Sequence, residues 1–172
     1  MFALRYASKL KSIEAILAKH SCHERKIEPL GESNVDAAVK MFQAQPETCY
    51  EYFRPHEFDR TTLLKLSHDK AFLAYLVISD NDDAIGYFFL RSSFTGKCFR
   101  GYMTDISHRR MGINRLMGTC STEIAQAIGI PMYGSISPHN IASMESAKAV
   151  NDIKIISTLE NGDYFVEYLP KK

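Results

Sequence analysis

The chain carries almost no excess charge, no apolar run long enough to cross a bilayer and no paired cysteines, and each absence narrows what it can be. Its 21 Lys and Arg stand against 20 Asp and Glu, a formal net charge of +1. A dedicated nucleic-acid binder instead concentrates basic charge to neutralise phosphates. A membrane-spanning helix needs about 20 consecutive apolar residues. No segment supplies them, and the first residues lack the apolar core of a signal peptide. The four cysteines, Cys22, Cys49, Cys98 and Cys120, are scattered, without a C-x-x-C pair. That pattern predicts free thiols in a reducing cytoplasm, with no disulfide framework and no metal site. No internal repeat or low-complexity linker interrupts the 172 residues, a length that suits one domain with a proper core. An apolar share of 45% and a charged share of 24% are ordinary for a globular protein.

What is present is a clear sequence of periodicities. Residues 2–25 read as a helix with Leu10, Ile13, Ile16 and Leu17 on one face. It forms an extension ahead of the main domain, residues 26–172, and is expected to pack on that domain or on a twin subunit in a homodimer. A short strand over 26–29 precedes a helix capped by Ser33 or Asn34 and running to about Gln45. Beyond Pro46 the pattern loosens until Asp59, a natural cap for a helix through Leu63, Leu64 and Leu66. Residues 72–79 and 85–91 then pair as a hairpin about Asn81-Asp82-Asp83, and 98–106 supplies a third strand. Gly101 within it marks a bulge or a close backbone approach. A helix follows through Ile113, Leu116, Met117, Cys120, Ile124 and Ile128, stopped by Gly129. A strand over 132–137, a helix over 140–150 and a hairpin across Asn161-Gly162 complete the order β-α-α-β-β-β-α-β-α-β-β.

The most informative stretch is Ser107-His108-Arg109-Arg110-Met111-Gly112-Ile113-Asn114-Arg115-Leu116-Met117. A strand, a basic glycine-containing turn and a helix make a grip for a diphosphate. The free N–H groups and positive dipole end of the helix face the anion, and glycine lets the backbone come close. The turn resembles motif A of the GNAT superfamily of N-acetyltransferases, Q/R-x-x-G-x-G/A, standing here as Arg109-x-x-Gly112-x-Asn114. Asn114 departs from the small residue usual at the third position. The element order is also that of the family, over roughly residues 26–169. The resemblance implies an α+β fold, a mixed, mostly antiparallel central sheet flanked by helices. It implies acetyl-coenzyme A as co-substrate and no metal. Arg109, Arg110, Met111, Gly112, Ile113, Asn114 and Arg115 would cradle the pyrophosphate. The backbone of 102–106, Thr104 and Ile106 included, would hold the pantetheine arm and the thioester oxygen, and Asn140 and Ser143 match the start of the family's late helix.

Transfer of an acetyl group to an amine also requires that an ammonium lose a proton. Tyr102 and Asp105 on the cofactor strand are candidates, as are Glu51, His56 and Glu57 in the irregular segment. Many relatives protonate the departing thiolate with a tyrosine in a pattern like N-x-x-A/S-x-x-x-Y. Ala147 stands at that place here, which leaves Ser143, Ser146 or water. The aromatics Tyr50, Tyr52, Phe53 and Phe58, interleaved with charges, form either a small core under the sheet or the wall of an acceptor pocket. Residues 85–91 and the start of the late helix resemble GNAT proteins of bacterial surface-polysaccharide clusters, which implies an amino sugar or its nucleotide as acceptor. The expectation is therefore a cytoplasmic N-acetyltransferase acting on a small-molecule amine, with no nucleic-acid partner and no membrane insertion. The alternative is a non-catalytic protein of the same fold that senses coenzyme A thioesters.

Overall fold

The structure, a computed structural model, describes residues 7–93 and 95–171. One seven-stranded sheet runs in the order β1-β2-β3-β4-β5-β7-β6. Its strands are β1 (Arg25–Pro29), β2 (Phe72–Ser79), β3 (Ala84–Ser92), β4 (Cys98–Thr104), β5 (Met132–Ile136), β6 (Asn151–Thr158) and β7 (Tyr164–Pro170). Every neighbouring pair is antiparallel except β4 and β5, which run parallel. The described residues include five α-helices: α1 (Leu10–His20), α2 (Val35–Gln43), α3 (Arg60–Ser67), α4 (Ile113–Ile128) and α5 (Ile141–Val150). This is the α+β order expected from the periodicities.

The continuous apolar runs of β2 and β3 follow from their position, since helices cover them on both faces. Tyr75, Val77, Phe88 and Leu90 join one core with α1, α4 and α5. Ala74, Leu76, Tyr87 and Phe89 join a second core under α2 and α3. Burying a large apolar side chain in such a layer contributes about 1.5–3 kcal/mol. Helix α4 buries Ile113, Met117, Cys120, Ile124 and Ile128 and stops where Gly129, at φ 74°, donates to the carbonyls of Ala125 and Gln126.

Element ends shift where side chains recruit the backbone. Helix α1 ends at His20, short of residue 25, because Ser21 Oγ donates to Leu17 O and accepts from Ile27 N, turning the chain into β1. The start of the helix expected over 2–25 falls partly on residues 1–6, outside the described ones. Ile13 and Leu17 of α1 lie in the same core as Ile124 of α4. The Lys19–Glu123 pair beside them is largely exposed on the lysine side and adds little. Strand β4 ends at Thr104 rather than 106, because the Asp105 carboxylate accepts from Ser107 N and opens a 3-10 turn over Ile106–His108. Asp59 and Asn140 cap their helices through Thr62 N and Ser143 N. Asn34 instead accepts from Gly31 N and closes the loop after β1.

Gly101 sits in an unbroken β3–β4 register, so no bulge marks it. The close approach is that of the Phe89 ring, whose Cε1 and Cζ lie 2.5 Å from where a Cβ would stand. Phe89 is buried and cannot swing away. Gly101→Ala is therefore expected to cost about 1–3 kcal/mol by overpacking, read as a lowered midpoint in chemical denaturation. An unchanged midpoint would mean that the ring has room to move.

Candidate active site

The site begins where β4 and β5 part. They pair only at Cys98↔Met132 and Phe99↔Tyr133. Beyond, β4 bonds only to β3 and β5 only to β7, which leaves a wedge with its apex at Phe99 and Tyr133. Cys98 N donates to Pro131 O across the apex, while Asp105 N donates to Ile85 O on the far edge. Alternation along a strand then turns the backbone groups of Tyr102 and Thr104 into the wedge. These are strand groups with no strand opposite them. At the apex, Arg100 is only 7% exposed. Its Nη1 donates to Asn151 Oδ1 at 2.9 Å, and its guanidinium lies 3.8 Å over the Tyr168 ring, a face that favours a desolvated cation.

The wedge opens towards the basic turn. Arg110 at φ 66° and Gly112 at φ 80° both take left-handed backbone conformations. For a non-glycine residue that costs about 1–2 kcal/mol, and alternating hands of this kind fold backbone N–H groups into an anion-binding nest. The first α4 bond runs from Leu116 N to Gly112 O, so the N–H groups of Ile113, Asn114 and Arg115 have no partner within the helix. Nothing lies within 4 Å of a Cβ built on Gly112, so the approach is open. Arg109, Arg110 and Arg115 are exposed, and among the described residues none pairs with a carboxylate. Arg109 Nη2 donates to Cys49 Sγ at 3.2 Å. Asn114 is occupied by Thr104, whose hydroxyl donates to Asn114 Oδ1 and ties the strand end to the helix start. The Ile106 N–H is taken by Gln45 Oε1 at 2.8 Å, and Asn140 Oδ1 by the Ser143 N–H.

The proposed proton-handling residues do not gather at one point. Tyr102 lies on the α4–α5 side of β4, with its hydroxyl 3.5 Å from Ser146 Oγ on α5. Ala147, at the place of the tyrosine in the N-x-x-A/S-x-x-x-Y pattern, faces the core at 1% exposure. Asp105 lies on the opposite side of the sheet and is held from three directions: by Gln45 Nε2 at 2.6 Å, His108 Nδ1 at 2.7 Å and Ser107 N at 3.1 Å. Burial raises its pKa, but hydrogen bonds from His108, Gln45 and Ser107 and the attraction of His108 outweigh that and hold the carboxyl below its usual range. His56 is enclosed by Phe58, Phe72 and Tyr87 and hydrogen-bonds to the Tyr87 hydroxyl at 2.9 Å. Burial lowers its pKa, against an opposing hydrogen bond to the Glu57 carbonyl, and so favours the neutral ring. Glu51 is exposed and accepts from Tyr52, a solvent-facing pair on the same segment. Tyr50, Phe53 and Phe58 pack on the second core, while Tyr52 stays outside. Burial pushes the thiols of Cys98 and Cys120 up to about 12, so neither is a ready nucleophile. No cluster of three metal-binding side chains occurs among the described residues, and no described helix is long and apolar enough to cross a membrane.

Four features had no reading in the sequence. Gln45 reaches Asp105 across 60 positions, for which no local pattern exists. His108 follows Asp105 by three, a spacing visible in the chain once a turn is assumed there. Arg100, a charged residue within a strand, is buried at the apex by partners distant in the chain, Asn151 and Tyr168. The fourth is an aromatic platform at the apex, on the α2–α3 side of the sheet. Tyr133 and Phe165 stack at 5.4 Å and 10°, Phe99 adjoins both, and Lys97 Nζ lies 5.2 and 5.7 Å over the two stacked rings.

No protein-family model matches the chain, and no curated protein sequence does. Solved structures do match in shape. The GNAT domain of S. lividans PAT superposes with a TM-score of 0.69 at 12% identity, over 84% of this chain and 89% of that one. An acetyl transferase from Salmonella typhimurium that modifies the N-terminal serine of ribosomal protein L7/L12 gives 0.70 at 14%, over 87% and 96%. The PaiA N-acetyltransferase of Thermoplasma acidophilum, in complex with coenzyme A, gives 0.69 at 12%, over 84% and 98%. The chain has the GNAT fold.

The depressed Asp105 pKa sets a pH dependence. A carboxyl that is more acidic folded than unfolded stabilises the fold above the ordinary carboxylate range, and that contribution is lost as pH falls towards its folded value. Asp105→Asn is expected to lower stability at neutral pH and to flatten the fall on the acid side, in denaturation midpoints taken from pH 7 down to about 3. Parallel wild-type and variant curves would contradict this.

Proposed function

We propose that the protein is an acetyl-coenzyme A-dependent N-acetyltransferase acting on the amine of a small molecule. The carrying observation is the wedge of unpaired β4 backbone leading into an exposed turn whose three arginines have no acidic partner among the described residues. Those residues fit the co-substrate. The N–H groups of Ile113, Asn114 and Arg115, with Arg109, Arg110 and Arg115, would hold a pyrophosphate, Met111 bordering it and Gly112 leaving space for it. The backbone of Tyr102 and Thr104 would bind the amide-bearing arm and the carbonyl oxygen, and an N–H aimed at a developing oxyanion contributes about 2.7–4 kcal/mol. Ile106 would contribute its carbonyl side, since its N–H is taken. Acetyl-coenzyme A, when bound, supplies an acyl group activated as a thioester. The Tyr102 hydroxyl, donating to Ser146, would face the thioester from the α4–α5 side of the wedge. Asn140 and Ser143 set the start of α5 beneath it.

For the acceptor, the platform of Phe99, Tyr133 and Phe165 supports a ring-bearing amine such as an amino sugar, because flat aromatic faces pack well against a sugar ring. Lys97 above the rings suits an anionic substituent on that sugar, a phosphate included. Four free cysteines suit a cytoplasmic setting.

The test is thiol release from acetyl-coenzyme A with glucosamine, spermidine and free amino acids, alongside calorimetry of coenzyme A. Binding with amine-dependent release, fastest for glucosamine, is expected. Binding with no release from any amine would make the protein a coenzyme A-thioester sensor. Gly112→Glu should raise the coenzyme A Kd at least tenfold by placing charge and bulk in the anion site. It should cost about 1–2 kcal/mol of stability for a side chain at positive φ. Unchanged affinity would place the nucleotide elsewhere.

A further inference from the structure

Arg100, Tyr102 and Tyr168 crowd the narrow end of the wedge on its α4–α5 side, and the arginine is a buried cation without a counter-ion. Arg100 on β4 and Gly134 on β5 are the first residues past the last pair between these strands, Phe99↔Tyr133. Arg100 is 7% exposed, and among the described residues no carboxylate pairs with it. Its Nη1 donates to Asn151 Oδ1 at 2.9 Å, whereas its Nε and Nη2 are buried with no hydrogen-bond partner there. Ring faces meet the charge instead, with the guanidinium carbon 3.8 Å from the Tyr168 centroid and 5.2 Å from that of Tyr102. The Tyr168 hydroxyl lies 2.5 Å from where a Cβ on Gly134 would stand, so a glycine at that position admits it beside β5.

Tyr102 is the member of this group with a proton to give. It lies three residues beyond Phe99, about 10 Å along β4, and borders the gap that β5 has left. An arm anchored at the arginine turn and laid along β4 would carry its thioester towards this end of the gap. The Tyr102 hydroxyl donates to Ser146 Oγ at 3.5 Å, far longer than is usual between hydroxyls, so its proton is loosely engaged. Ser146 is itself half-exposed and borders water. Beside it on α5, Ala147 is 1% exposed and presents a methyl group, so the helix brings no phenol to this place.

We infer that Tyr102 delivers the proton to the departing thiolate, with Arg100 as a positioning residue that stabilises the phenolate left behind. The inference rests on the acetyltransferase reading and deepens it. As the amine nitrogen bonds to the acyl carbon, the C–S bond breaks with its electrons on sulfur. The Tyr102 O–H bond breaks in turn, its proton passing to sulfur and its electrons staying on oxygen. The phenolate takes a proton back from water through the Ser146 hydroxyl. The two protons that the ammonium gives up pass to water, so each turnover releases one proton overall. A guanidinium without a counter-ion is placed to meet the negative charge as it moves from sulfur to the phenol oxygen, and with little water nearby its effect is large. The charged and titratable groups around the Tyr102 ring are Arg100 on its own strand and Tyr168 on β7, while α5 presents Ser146.

Tyr102→Phe keeps the ring beside Arg100 and removes the proton. With whichever of glucosamine, spermidine or an amino acid is turned over fastest, this variant should lose about 10²-fold in kcat, with the KM for the amine, coenzyme A affinity and melting temperature unchanged. Arg100→Lys should lower kcat in the wild type yet cost nothing further in Tyr102→Phe, a coupling that a merely structural arginine would not show. Without turnover, the Cζ carbon resonance of Tyr102 in NMR, assigned by its loss in Tyr102→Phe, reports whether the hydroxyl meets the sulfur. It should move when coenzyme A binds and stay in place with desulfo-coenzyme A, which lacks that atom. An equal movement with both ligands, or a Tyr102→Phe enzyme with the wild-type kcat, overturns the role of Tyr102 and leaves the acetyltransferase reading standing. A wild type that turns over none of these amines overturns both.

Discussion

The parting of β4 from β5 after two residue pairs is the constraint on which the rest of the molecule depends. Elsewhere the sheet satisfies its backbone by antiparallel pairing, interrupted only by local register shifts at Val77/Ile78 and Ile155/Ser157. Here a parallel pair is opened deliberately, and the unpaired groups must be met by something else or left to water. Several features read as supports for that opening. The Arg100 guanidinium fills the apex by stacking on Tyr168 and bonding to Asn151. Thr104 ties the free end of β4 to the first turn of α4 through Asn114. Gln45, from beyond α2, clasps the turn that follows. Each lies within a few residues of the unpaired edge, and together they hold it without a neighbouring strand.

The order of elements was legible because it rests on local periodicity. The continuous apolar runs of β2 and β3, the caps at Asp59 and Asn140 and the glycine stop at residue 129 are all written in neighbouring residues. The basic turn was legible for the same reason, its chemistry being contiguous. What lay beyond reach depends on contacts across the chain. Nothing near Gln45 in sequence speaks of Asp105, and nothing near Lys97 speaks of Phe165. The strand end at Thr104 was misjudged because Asp105 and Ile106 continue an extended pattern. Only the pull of the carboxylate on Ser107 N turns the chain there.

Asn114 shows how a departure from a motif can be compensated. A small residue at that place would leave the Thr104 hydroxyl to find another acceptor. The asparagine supplies one and fastens strand to helix, while its own N–H remains in the first turn with those of Ile113 and Arg115. The polar side chain thus stiffens the cradle without consuming the backbone groups that a phosphate would use.

The connection between α2 and α3 has a different consequence. Tyr50 donates to Phe42 O, Phe58 stacks on Phe42 at 4.1 Å, and His56 is caged by rings and bonded to the buried Tyr87. A segment anchored at three successive points does not swing on hinges. It behaves as masonry: a fixed parapet whose inner side is ring packing and whose outer side carries Glu51, Tyr52, Arg54 and Glu57. Whatever meets this edge meets a standing surface whose shape the core sets in advance. Its buried anchors are free to vary only as the core varies, while its exposed side chains are under no such constraint.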